Sequence, residues 1–250
     1  MTTAQLMEET ARLRDRIALD EEPLAFFYTD GEPKGYLSPT EGSGCIFSVV
    51  ARARRGETVY FAREHYGCGG GGYYLGFCPA RPEIAEFVST GIPGRMAGER
   101  YKKSPDLVRR FLDRHPAPPA PAAYAVFRPM SALTDSDDPQ VIICFAVADQ
   151  LAGLAGLAGY ARDEDAVICP FGSGCSTVVT SPLLEAQREQ PRAVLGMFDP
   201  SARPFIEKDR ISFAAPRALW EEMLGNTEES FLSTKTWDKV RRRLLRGAPG

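Results

Sequence analysis

Gly42-Ser43-Gly44-Cys45-Ile46-Phe47-Ser48-Val49-Val50 and Gly172-Ser173-Gly174-Cys175-Ser176-Thr177-Val178-Val179 begin with the same four residues, and each carries a Val-Val pair a few positions on. The copies lie about half the 250-residue chain apart. Each precedes a stretch that reads as a helix and then a strand: residues 45–55 and 58–61 in the first case, 176–190 and 193–198 in the second. The shared order predicts an α/β (or α+β) fold built from two related α/β halves about a pseudo-two-fold axis. Glycine lets the backbone turn sharply into a helix. A cysteine in the first helical turn then meets unpaired N–H groups and the positive end of the helix dipole. Both favour thiolate over thiol.

The flanking sequence supports this arrangement. Leu6, Thr10, Leu13 and Ile17 recur on one face of a predicted helix over 4–18. Apolar strands are expected at 24–28, 124–127, 140–147, 166–169 and 210–214. Further helices are expected from Pro82 to about Ser89, over 104–114, over 149–160, and from Pro216 to about Leu224. The chain from Thr227 onward reads as a helical tail whose Arg241, Arg242, Arg243 and Arg246 form a solvated face. Four prolines between His115 and Pro121 mark an extended connector. The expected division is 1–114, a connector over 115–122, and 123–250, or one compact domain.

Composition narrows the function class. Thirty Lys and Arg against 33 Asp and Glu leave a net charge of -3, which removes the generic electrostatic case for nucleic acid or an anionic membrane. No apolar run is long enough to span a bilayer, and the first twenty residues lack a secretory core. A cytoplasmic protein with a small-molecule or redox partner is the expectation. Six cysteines are too sparse for a disulfide scaffold. Cys144, inside Val141-Ile142-Ile143-Cys144-Phe145, reads as core, and Cys78 as structural.

The remaining cysteines carry the functional reading. Cys68 stands in Gly67-Cys68-Gly69-Gly70-Gly71-Gly72, after the helix and strand that follow Cys45. In a β-α-β unit the strand returns to the edge where the first loop began. Cys68 is therefore expected to join Cys45 and Cys175, with Cys169 as a fourth thiol. Gly44, Gly67, Gly69, Gly70 and Gly174 would line the pocket. Three or four gathered thiolates suggest a metal centre, with an iron–sulfur cluster as the cofactor, although neither the dense ferredoxin run nor a zinc knuckle is present. Two other readings stay open. One is an anion held over the Gly-rich helix N-termini. The other is a metal-free thiol enzyme using Cys68 or Cys175 with His65 as base. The glycine run reads as a loop that lacks the Gly-Lys-Ser/Thr ending of a phosphate-binding loop. Arg95 reads as a solvated loop residue.

Cys45-Ile46-Phe47-Ser48-Val49-Val50-Ala51-Arg52, His65-Tyr66-Gly67-Cys68 with its glycines, Tyr74-Leu75-Gly76, Val126-Phe127-Arg128-Pro129-Met130 and Gly174-Cys175 together resemble the uncharacterised DUF169 family. The resemblance spans nearly the whole chain. It implies a bacterial or archaeal cytoplasmic protein with cysteines at the positions argued above, and it brings no catalytic roles with it.

Overall fold

The structure is a computed structural model that describes residues 1–247. Ten strands are formed: β1 (Leu24–Thr29), β2 (Tyr36–Leu37), β3 (Val59–Ala62), β4 (Gly91–Ile92), β5 (Met96–Ala97), β6 (Tyr124–Pro129), β7 (Val141–Ala146), β8 (Val167–Ile168), β9 (Ala193–Gly196) and β10 (Ile211–Pro216). β4 and β5 form a separate hairpin, and the other eight make one mixed sheet in the order β2-β3-β6-β1-β7-β10-β9-β8.

That order repeats within the chain. Outward from the central antiparallel β1–β7 pair, the sheet runs β6, β3, β2 on one side and β10, β9, β8 on the other. Taken along the chain, each side uses its first, fourth, third and second strand. The outermost pair on each side is parallel, and every other pairing is antiparallel. Registers correspond too: Leu24 faces Pro129 as Val141 faces Pro216. Parallel neighbours need a crossover connection. The first crossover contains helix α2 (Ile46–Ala53), capped by Cys45, and the second contains the helical stretch that Cys175 begins. The two Gly-Ser-Gly-Cys segments thus occupy the same place in the topology. β6 follows the Pro-rich stretch yet lies between β1 and β3, so the boundary at 115–122 does not coincide with an edge of the sheet.

The remaining helices are α1 (Thr3–Ile17), α3 (Gly69–Tyr74), α4 (Ile84–Val88), α5 (Pro105–Arg114), α6 (Ala148–Ala158), α7 (Ser181–Glu185), α8 (Arg217–Asn226) and α9 (Lys235–Gly247). Alternation along the strands sends Phe27, Ile142 and Phe213 to one face, where they pack with Leu13, Leu154, Trp220 and Trp237 from α1, α6, α8 and α9. Phe26, Phe61, Phe127 and Ile143 point to the other face, against Ile46, Phe47 and Val50 of α2 and Val178 and Val179 beyond Cys175. Both faces are covered, which is why β1 and β7 read as nearly continuous apolar runs. Among the described residues no helix is long and apolar enough to cross a membrane.

Two departures from the sequence reading matter for the site. The glycine run expected as a loop forms α3, and the helix expected over 176–190 is a wide π-type turn, Ser176–Thr180, continuing into α7 and ending at Glu185. Four consecutive glycines are poor helix formers, each costing about 1 kcal/mol relative to Ala. Close packing overrides that preference. A Cβ on Gly71 would overlap the Ile46 side chain and lie 2.9 Å from the Tyr66 carbonyl oxygen, and one on Gly72 would lie 2.8 Å from Cys78 Sγ.

The polar member of the α1 stripe also has its reason. Thr10 is buried, and its Oγ1 accepts a 2.9 Å hydrogen bond from the Trp220 indole N–H. Thr10→Val keeps the shape and orphans that donor, so urea denaturation should show a loss of roughly 1–3 kcal/mol.

Candidate functional site

The site lies on the sheet face covered by α2, α3 and the Cys175 turn, where two glycine-bearing loops meet. Gly42 N–H donates to the Gly67 carbonyl at 2.7 Å, and Glu41 N–H to the Glu64 carbonyl at 3.2 Å. Gly67 adopts φ +69°, and a Cβ there would lie 2.6 Å from the Gly44 carbonyl oxygen. Only glycine permits both the backbone angle and the approach. The far end of α2 is fixed by Arg54, which bonds Glu21 at 2.6 Å and also pairs with Glu207.

This approach brings Cys45 and Cys68 together. Each precedes its helix in an extended conformation, Cys45 at α2 and Cys68 at α3. The Cys68 sulfur accepts a 3.2 Å hydrogen bond from Gly71 N–H, and the Ile46 and Gly70 N–H groups also favour its ionised form. The Cys45 thiol is near enough to the same sulfur for each to act on the other's ionisation. Cys45 is the largest influence on Cys68. Burial opposes it, the backbone donors reinforce it, and the Cys68 pKa falls to about 6. Cys45 is affected in reverse, and its pKa is driven up. The two shifts run in opposite directions and favour the proton on Cys45 and the negative charge on Cys68.

Cys175 is the third sulfur. It starts its helix, is buried, and lies 3.3 Å from Ser173 Oγ. Burial pushes its pKa up to about 12, and the charges of Cys68 and Asp199 add to that rise. A position at a helix start therefore yields a thiolate only at Cys68. At Cys175 desolvation outweighs the dipole.

The other expected site residues divide. Cys169 is exposed at the end of β8, outside the hydrogen-bonded group around Cys68. The Nδ1 of His65 is 3.1 Å from the Ser38 carbonyl, within a tight Ala62–His65 turn. Gly70 supplies an N–H to the thiolate, and Gly67 sets the loop approach. Gly69 packs on the Arg81 guanidinium, and Arg81 bonds Glu41 at 2.6 Å. Gly174 is packed among Phe47, Met197 and Ala202, and its N–H donates to Asp199 Oδ2 at 3.3 Å. The donors proposed for an external anion are thus engaged by groups of the chain itself, a thiolate at α3 and a carboxylate at the Cys175 turn. Gly44 is exposed, and a Cβ on Gly44 or Gly70 would meet nothing within 4 Å. Arg95 is exposed and pairs with Glu83. Among the described residues, no group of three or more His, Cys, Asp or Glu side chains is arranged to hold a metal ion.

Sequence reasoning passed over Asp199 and Ser173. The available signal for Asp199 was Asp199-Pro200, a turn directly after the predicted strand over 193–198. Ser173 was visible as the one hydroxyl inside the repeated motif.

The DUF169 family model, described as "Uncharacterised ArCR", matches residues 12–226, a span that contains all three site cysteines. No curated protein and no solved structure matches the chain.

Two measurements test this geometry. Alkylation of Cys68 should rise with pH through about 6 and level off above it, since the thiolate is the reacting form. Cys45→Ala removes a donor, so the rise should move to higher pH. In helix α3, Gly71→Ala should cost about 1–3 kcal/mol by overpacking. Gly70→Ala, with open space at its Cβ, should be neutral or stabilising by up to about 1 kcal/mol.

Proposed function

The chain belongs to the DUF169 family, and we propose that it acts through Cys68 as a thiolate nucleophile toward soft electrophilic carbon or sulfur in a small molecule. The supporting observation is the 3.2 Å hydrogen bond from Gly71 N–H to the Cys68 sulfur, together with the Cys45 thiol and the Ile46 and Gly70 N–H groups, which favour its ionised form. Cys68 is partly exposed. A reducing cytoplasm suits six free cysteines. With this reading we take the repeated strand order as a pseudo-two-fold relation between halves, in which only the first half adds a helix like α3.

A second reading is a thiophilic metal centre, with an iron–sulfur cluster as its strongest form. One observation favours it: a third sulfur, Cys175, is close enough that the Cys68 charge opposes its ionisation. Cys45, Cys68 and Cys175 would be the ligands. Taking up a metal would require Cys45 and Cys175 to give up protons they hold in the present arrangement.

Anaerobic purification followed by alkylation separates the two. Its lowered pKa leaves more of Cys68 ionised near pH 6 than of an ordinary thiol, an advantage only partly offset by the weaker nucleophilicity of a less basic thiolate. Iodoacetamide should therefore label Cys68 several-fold faster than any other cysteine, in colourless protein. Brown protein whose iron and sulfide are lost in Cys68→Ser would overturn the nucleophile reading in favour of the cluster.

A further inference from the structure

We infer that Cys45 and Cys68 form a dithiol pair that reduces low-molecular-weight disulfides, with Cys68 attacking and Cys45 resolving. The inference rests on the thiolate reading of Cys68 and deepens it by naming the electrophile. Its geometric basis is the meeting of the two loops: Gly42 N–H bonds the Gly67 carbonyl and Gly67 packs against the Gly44 carbonyl, which sets the adjoining residues Cys45 and Cys68 side by side. Both cysteines are partly exposed.

The chemistry balances as follows. The Cys68 thiolate attacks one sulfur of a disulfide RS–SR; the S–S bond breaks, RS⁻ leaves, and a Cys68–SR mixed disulfide forms. Cys45 gives its proton to the departing thiolate, and its sulfur attacks the Cys68 sulfur. The second RS⁻ leaves and takes a proton from solvent. The substrate disulfide is reduced to two thiols, and the protein is oxidised to a Cys45–Cys68 disulfide.

The structure also orders the two steps. While Cys68 carries the charge, it holds the Cys45 proton in place and keeps Cys45 from reacting. Once Cys68 enters the mixed disulfide, its charge and its role as hydrogen-bond acceptor disappear together. The restraint on Cys45 then lifts. Cys175, buried and bonded to Ser173, stays outside the exchange.

The test uses the full chain, reduced and anaerobic, with oxidised glutathione as the disulfide, acid-quenched and analysed by intact mass and peptide mapping. Wild type should lose two hydrogens, carry a Cys45–Cys68 link, retain no glutathione and release two glutathione thiols per chain. Cys45→Ser, which keeps a hydroxyl donor beside Cys68, should retain one glutathione on Cys68. Cys175→Ser should behave as wild type. A stable glutathione adduct on wild-type Cys68, or a link from Cys68 to Cys175, would overturn the pairing while leaving Cys68 a nucleophile. Rapid alkylation of Cys68 with no reaction toward glutathione would overturn the disulfide substrate alone. Slow alkylation and no exchange would remove the thiolate reading beneath both. Melting curves of each variant verify that it is folded.

Discussion

The contact on which the site depends is between two stretches of backbone. The Gly42–Gly44 and Gly67 segments approach so closely that a Cβ on Gly67 would collide with the Gly44 carbonyl, and one hydrogen bond spans the seam. That approach brings Ile46 N–H and Cys45 near enough to the sulfur of Cys68 to favour its ionised form. It is made possible by the sheet. β2 and β3 are parallel neighbours, so the crossover through α2 returns the chain to the edge where the Cys45 loop began. The loop after β3, which carries Cys68, then lies next to that starting point. Apolar packing of Ile46, Phe47 and Val50 against Phe26, Phe61 and Phe127 holds the crossover down.

Three cysteines at three helix starts acquire three different chemistries, and the deciding quantity is the balance of desolvation against hydrogen bonding. Cys68 gains donors from a thiol and from backbone, enough to outweigh its burial. Cys45 is affected in reverse and keeps its proton. Cys175 is buried in the same apolar cluster as Phe47, Met197 and Ala202, lies 3.3 Å from Ser173 Oγ, and has its pKa raised by burial. The helix dipole is common to all three and does not distinguish them. The glycine run adds what the dipole lacks: N–H groups from consecutive residues close to the sulfur, with no side chain between them.

Much of the scaffold was legible from periodicity. The α1 stripe is the buried set Leu6, Thr10, Leu13 and Ile17. The Ser104-Pro105 start of α5 and the apolar run of β7 stand where the sequence puts them. The repeated Gly-Ser-Gly-Cys marked two crossovers that the strand order places in matching positions. What sequence hid was decided by contacts between distant residues. β2 is two residues long and exists only because β3 accepts it as a parallel edge. α3 contradicts glycine's helix propensity because Ile46 and Tyr66 leave no room for a side chain. His65 is three residues from Cys68 in sequence, yet the turn to Ala62 places its Nδ1 at the Ser38 carbonyl. The sequence reading expects thiolates at the Gly-x-Gly-Cys helix starts of Cys45 and Cys175, whereas the pKa of both is raised and the lowered value falls at Cys68, because burial and neighbouring donors are properties of the folded site.

The central claim is that the sulfurs of Cys45 and Cys68 are direct neighbours, and binding of a trivalent arsenical tests it most directly, because such reagents need two adjacent thiols for tight capture. Phenylarsine oxide should bind reduced wild type with one-to-one stoichiometry. That binding should disappear in both Cys45→Ser and Cys68→Ser and persist in Cys175→Ser. Tight binding that survives in Cys45→Ser, or wild type that captures no arsenical, would contradict the account.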